Sequence, residues 1–122
     1  MAESKTYRFA LIGCGRIVRK HIEALKALPN AALVAVCDLV GEKAARIAGE
    51  LGIKHYADYH DMLKHEKLDV VSVLTESGLH GQIVTDIARY GKHIIVEKPM
   101  ALTLEDADRM IKECAENNIK LP

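Results

Sequence analysis

Tryptophan is absent from the 122 residues, and only one Phe and four Tyr occur. So small an aromatic set leaves little with which to stack nucleic-acid bases. No excess of either charge sign exists: Lys+Arg and Asp+Glu are both 17, for a formal net charge of zero. A neutral domain lacks the basic footprint of nucleic-acid or anionic-membrane binding, so neither partner is expected. No apolar run approaches the roughly 20 residues of a membrane span, and Met1 to Thr6 are polar, with no secretory h-region. Cysteine is scarce. Cys14, Cys37 and Cys114 are odd in number and widely spaced, which fits reduced thiols in a cytoplasm and not a disulfide scaffold. They lack Cys-x-x-Cys spacing, and His21, His55, His60, His65 and His93 show no metal-ligand pattern, reading instead as surface or packing residues. Metal chemistry is not indicated. What is present is 49% apolar and 28% charged residues, the composition of one soluble globular domain.

Apolar runs alternate with helical patterns from end to end. Tyr7 to Ile12 is a β-type run stopped by Gly13, and Ile17 to Leu28 puts Val18, Ile22 and Leu25 on one helical face. Leu33 to Cys37 reads as a strand ending at Asp38, and Gly41 to Leu51 as a helix with Ala44, Ile47, Ala48 and Leu51 inward. A very short strand at His55-Tyr56 and a polar helix from Asp58 to His65 follow. Val70 to Leu74 is apolar on both faces, as a central parallel strand must be. Ile83, Val84, Ile87 and Ala88 form a helical stripe closed by Gly91, and His93 to Glu97 is again a strand. Thr103 offers an N-cap for a helix with Leu104, Ala107, Ile111 and Cys114 inward, and with Asp106 at N3, where the helix end is positive. Such alternation implies right-handed βαβ crossovers: an α/β fold with an open parallel sheet and helices on both faces. Ile119 to Pro122 reads as the opening of a further strand, so the chain is expected to be a piece of a longer protein.

Gly13-Cys14-Gly15-Arg16-Ile17-Val18 follows the first strand and opens the first helix. There, the first glycine allows a tight turn, and the second lets the backbone approach a pyrophosphate whose charge sits on the helix N-terminus. The third position, normally Gly or Ala, is Val18. A plain glycine turn is the alternative reading. Asp38 lies about 20 residues beyond Val18, where an acidic side chain accepts from the adenosine ribose hydroxyls of NAD. An N-cap or turn aspartate is the alternative for it. Gly13, Gly15, Arg16, Ile17 and Asp38 are therefore the candidate NAD-binding residues. Arg16 is equally readable as a solvated side chain. Cys14, inside the loop, is either oxidation-sensitive or a small filling residue.

Two further stretches carry a family signature. Tyr90 to Thr103, with Glu97-Lys98-Pro99 at its centre, resembles the Glu-Lys-Pro segment of the glucose–fructose oxidoreductase/inositol dehydrogenase (Gfo/Idh/MocA) family. Leu74-Thr75-Glu76-Ser77-Gly78-Leu79-His80 resembles that family's loop after the fourth strand, where Thr-Pro-Asn and then His are usual. With Gly13 to His21 and Asp38, the resemblance covers essentially the whole chain. It implies a Rossmann-type NAD-binding domain over residues 1–122, truncated at its C-terminal end and lacking the α/β substrate and oligomerisation domain. It also implies Thr75, Ser77, His80, Glu97 and Lys98 as contacts on the nicotinamide side, with Lys98 catalytic in proton transfer at the substrate hydroxyl. A lysine followed by proline sits on a restrained backbone, and burial can bring its pKa toward neutrality. Without the resemblance, Lys98 reads as a surface lysine in a turn and His80 as a helix-start packing residue.

Glu76 and Ser77 depart from the family's Pro-Asn. The Thr-Glu-Ser-Gly form is similar to members that oxidise the 3-hydroxyl of UDP-N-acetylglucosaminuronate in surface-polysaccharide synthesis. The function implied is an NAD-dependent dehydrogenase acting on a sugar, sugar-nucleotide or polyol secondary alcohol, homo-oligomeric at full length. The 122 residues alone are expected to be inactive, because the family's Asp-x-x-x-His motif belongs to the missing domain. A non-catalytic NAD-sensing module is the rival reading. Such a sensor needs the loop and Asp38 but no Lys98.

Overall fold

Strands with apolar side chains on both faces can be buried only if helices cover both sides of their sheet. The computed structural model describes residues 5–97 and 103–119, and there the chain meets that requirement. Its order is β1 (Tyr7–Ile12), α1 (Val18–Lys26), β2 (Ala31–Cys37), α2 (Gly41–Leu51), β3 (Lys54–Tyr56), α3 (Tyr59–His65), β4 (Val70–Val73), α4 (Ser77–Ile87), a 3₁₀ turn (Ala88–Tyr90), β5 (His93–Val96) and α5 (Leu104–Glu116). Among the described residues one sheet forms, ordered β3-β2-β1-β4-β5, with every pair parallel. This is the Rossmann-type arrangement. The strand order reverses between β1 and β4, which opens a crevice at the C-terminal edge. Register brings the strand ends level there: Tyr56 faces Cys37, Cys37 faces Ile12, Ile12 faces Val73 and Val73 faces Val96.

The period-two alternation of strand side chains divides the core into two clusters. Leu11 and Val36 face α1 and α2, meeting Val18, Ile22, Ala44, Ile47 and Ala48. Ala10, Ile12, Ala35, Val71 and Val73 face the other side and meet Met62, Ile87, Ile94, Met110 and Cys114. At the sheet's opposite edge Asp69 pins β1 to the start of β4. Its backbone N–H donates to Arg8 O at 2.8 Å, and its Oδ2 accepts from the Arg8 N–H at 2.8 Å. Lys5 Nζ lies 3.0 Å from its Oδ1. The Arg8 amide and then Lys5 hold this carboxyl below its ordinary range.

Two expectations about helices are corrected. The segment after Asp58 is not polar throughout, because Met62 and Leu63 are buried under the sheet. Asp58 itself caps α3, accepting from the His60 N–H at 2.8 Å. In α5 the inward stripe holds Met110 and Cys114, whereas Leu104 is 84% and Ile111 55% exposed. Positions 107, 110 and 114 satisfy the helical period as well as 107, 111 and 114 do, and packing against α4 selects the first set. Of the strand expected over Ile119 to Pro122 only Ile119 is described, buried with its N–H donating to Cys114 O at 3.0 Å; residues 120–122 and the side chain of Asp106 lie outside the described residues.

Met110→Ala is expected to cost about 2–5 kcal/mol in urea unfolding, as buried truncations do. Ile111→Ala should stay within about 0.5 kcal/mol. Asp69 yields a pH prediction. Its folded pKa is depressed, so its stabilisation is complete above the ordinary carboxylate value of about 3.9 and is lost as pH falls through the lower folded value. Asp69→Asn should remove that acid limb from the stability–pH curve, measured by denaturation midpoints at several pH values.

Candidate functional site

The chain leaves β1 through Gly13, whose φ is +106°. A Cβ at Gly13 would stand 2.8 Å from the backbone nitrogen of Thr75 and 2.9 Å from the Leu74 carbonyl carbon. Only glycine allows that approach. The Gly13 N–H donates to Cys37 O at 2.7 Å, and the Leu74 N–H donates to Ile12 O at 2.8 Å, so three strand ends meet at this point. Gly15 is different, because nothing lies within 4 Å of its missing Cβ. The loop presents a bare backbone to open space there, as close approach of a ligand's phosphates demands. Arg16 is exposed and Ile17, the N-cap residue of α1, is half-buried. Val18, in the position usually held by a smaller residue, is buried against the sheet. The first turn of α1 carries no acidic residue and no side-chain cap; its Val18 and Lys20 amides donate to Gly15 O and Ile17 O, each at 3.2 Å, and the helix end keeps the positive polarity that favours an anion.

Asp38 follows β2 directly. Its Oδ2 accepts from the Cys14 N–H and its Oδ1 from the Val40 N–H, each at 2.8 Å. Both oxygens keep further lone pairs, so the carboxylate is fixed in place and still able to accept hydroxyl protons. Cys14 and Val40 also line a cavity of about 570 Å³ between the loop and α2, with Gly15, Arg16, Lys43 and Arg46 among its other walls. That is the size of a small-molecule site. Arg19 and Glu50 close one flank through a two-pronged bond of 2.6 and 3.1 Å between α1 and α2. The Cys14 thiol is buried, and burial together with the Asp38 charge pushes its pKa up to about 11. It is a neutral filling residue, which answers the choice between filling and oxidation sensitivity.

Beyond the crevice lies the loop after β4. The Thr75 hydroxyl is buried with no hydrogen-bond partner among the described residues. His80 is 1% exposed, and its Nε2 lies 2.8 Å from the Thr75 carbonyl. It holds the loop through the Thr75 carbonyl. Ser77 opens α4, but its side chain, like all of Lys98, lies outside the described residues. Glu97 follows β5 directly, its N–H donating to Val73 O at 3.1 Å. Its Oε2 accepts from His21 Nε2 on α1 at 2.7 Å. Sequence reasoning missed this pair and took His21 for a surface or packing residue. The partners are 76 positions apart, and no spacing rule joins them.

A bare loop backbone, a fixed carboxylate after β2 and a cavity between the loop and α2 have the chemistry that a nucleotide diphosphate with free ribose hydroxyls requires. The residues fit NAD. Among the described residues no cluster of three His, Cys, Asp or Glu could hold a metal ion, and no helix is long and apolar enough to cross a membrane.

The sequence model of an oxidoreductase family with an NAD-binding Rossmann fold matches residues 7–121. Myo-inositol 2-dehydrogenase of Thermotoga maritima is 35% identical over 115 residues, 93% of this chain and 34% of that protein. D-apiose dehydrogenase of Paraburkholderia graminis is 36% identical over 96% of this chain and 32% of its own length. Among solved structures, the WlbA dehydrogenase of Bordetella pertussis, in complex with NADH and UDP-GlcNAcA, superposes with a TM-score of 0.92 at 36% identity. The match covers 96% of this chain and 36% of that one. This chain thus spans about a third of the length of the relatives it matches.

The two loop glycines should separate under mutation. Gly13→Ala is expected to destabilise the fold by about 1–3 kcal/mol, the usual cost of a strained backbone position, before any steric displacement of Thr75. Gly15→Ala should leave the denaturation midpoint nearly unchanged and weaken dinucleotide binding at least about tenfold. Paired denaturation and calorimetric titration check both.

Proposed function

Because the chain belongs to the Gfo/Idh/MocA oxidoreductase family and forms its NAD-binding Rossmann domain, we propose that it is the cofactor half of a dehydrogenase. The full protein would move a hydride between nicotinamide and a secondary alcohol of a sugar, polyol or sugar nucleotide. The observation that carries this reading is the glycine loop at the end of β1: Gly13 pressed against Thr75, Gly15 open to a cavity beside α2, and the Cys14 amide between them donating to the Asp38 carboxylate.

When bound, the nicotinamide supplies the hydride acceptor; the chain's part is positioning and proton handling. Gly13 to Ile17 and the N-terminus of α1 hold the phosphates. Asp38 accepts from the ribose hydroxyls. Thr75, Ser77 and Glu97 border the nicotinamide end of the crevice, with His80 holding Thr75 in place. Lys98, two positions in sequence after β5 ends at the ligand-binding edge, takes part in removing the hydroxyl proton. For the substrate, we favour UDP-N-acetylglucosaminuronate, oxidised at its 3-hydroxyl. The Thr75-Glu76-Ser77-Gly78 form and the likeness to a structure holding UDP-GlcNAcA support it. Incubation of the full-length protein with NAD and UDP-GlcNAcA, myo-inositol or D-apiose tests the class. NADH should appear with at least one. A protein that binds NAD and reduces it with none of them would overturn the reading.

Asp38 should favour NAD over NADP, since a carboxylate repels a 2′-phosphate. Asp38→Asn is expected to weaken NAD binding about ten- to a hundred-fold, the worth of a hydrogen bond to a charged group. Equal or tighter binding of NADP by the unmodified protein in calorimetric titration would refute the assignment. Lys98→Met should lower kcat by roughly 10²–10⁴, the range for one positioned acid–base group. NAD affinity should change far less. Normal turnover in a folded variant would remove Lys98 from the chemistry.

A further inference from the structure

His21 stands near the start of α1, and Glu97 one residue past β5. Their side chains meet at 2.7 Å, with only 25% and 29% of each exposed. The Glu97 backbone is registered on β4 through Val73 O, so this residue is held from two sides: by β4 through its amide and by α1 through its carboxylate. In the sheet β4 lies between β1 and β5, and the contact therefore spans the crevice edge from the phosphate-loop helix to the strand end. Helix formation does not require a histidine here, since histidine is a middling helix former and Val18 and Ile22 carry the packing of α1. The pair is also more enclosed than the surface ion pairs that contribute little, and hydrogen bonds to an ionised group are the stronger kind.

We propose that His21 is a positioning residue: through Glu97 it aims the chain that continues into Lys98. This rests on the reading of Lys98 as the proton-handling group. Lys98 is the next residue in sequence after Glu97, and a lysine followed by proline has few backbone choices. The strut also ties that direction to α1, the helix whose N-terminus receives the phosphates, so the two ends of the cofactor site are held to one frame.

The test compares His21→Leu, which fills the space without a donor, with His21→Gln, which keeps an N–H at similar reach, both in the full-length protein. His21→Leu should lower kcat roughly ten- to a hundred-fold, the effect of a catalytic group displaced by about an ångström. NAD affinity should stay within about threefold of the unmodified value, a change of less than 1 kcal/mol. His21→Gln should recover most of the loss. Independently of turnover, amide hydrogen exchange in the peptide around Glu97 should quicken in His21→Leu and not in His21→Gln, at closely similar melting temperatures. Native exchange and native kcat in His21→Leu would overturn the proposal, as would a loss confined to NAD affinity or a Gln variant no better than Leu. Should His21→Leu fail to fold, Glu97→Met breaks the same contact from the other side and is read by the same exchange. Normal turnover in Lys98→Met with quickened exchange in His21→Leu would refute the lysine's role while confirming that the strut orders Glu97.

Discussion

At the tip of β1 two backbones lie closer than any side chain permits, with a Cβ on Gly13 falling 2.8 Å from the Thr75 nitrogen. That contact sets the height at which the chain leaves β1 and the angle at which it turns into α1. From it follow the open space beside Gly15, the direction of the first helical amides and the position of the loop after β4. His80 reinforces the same point from below by holding the Thr75 carbonyl. The crevice is therefore built by two loops pressed together at one glycine, and its two walls cannot shift independently.

Charge is arranged around this contact with some economy. The Asp38 carboxylate is held by two backbone N–H groups, and Lys43 and Arg46 stand at the cavity wall. Cys14, the side chain between the two loop glycines, stays a neutral thiol because burial and Asp38 both oppose its ionisation. The loop thus carries the positive end of a helix, the cavity wall carries Lys43 and Arg46 with Glu42 beside them, and the end of β2 carries one fixed carboxylate. Such a polarity suits a ligand with negative charge at its centre and hydroxyls beside it.

The strand–helix alternation was legible because each strand is a short run bounded by Gly, Asp or Pro and each helix has its own apolar period. Gly13, Gly15 and Asp38 could be placed from spacing, since the turn chemistry and the strand ends are local. Facts that depend on rotation or on distant partners were not legible. Met110 and Ile111 are adjacent apolar residues, and only the packing of α5 on α4 decides which turns inward. Met62 and Leu63 sit in a segment dominated by charged and polar residues, which masks their burial. His80 matches a family position by sequence, yet its role depends on the path of the loop above it. His21 and Glu97 meet only because the sheet order brings α1 near β5.

Asp38 occupies both its oxygens on backbone amides, and this has an evolutionary consequence. The group that would discriminate between cofactors is also the group that fastens the loop to the end of β2. A lineage drifting toward a phosphorylated ribose could not simply trade the acid for a neutral or basic residue, because the Cys14 and Val40 amides would lose their acceptors in the same step. Compensation would have to arise first, from a side chain able to receive those two protons without bringing a negative charge. Were Asp38 the ribose acceptor, cofactor preference in this chain would be protected by epistasis: the intermediate genotypes would be handicapped in loop order before they gained anything in recognition.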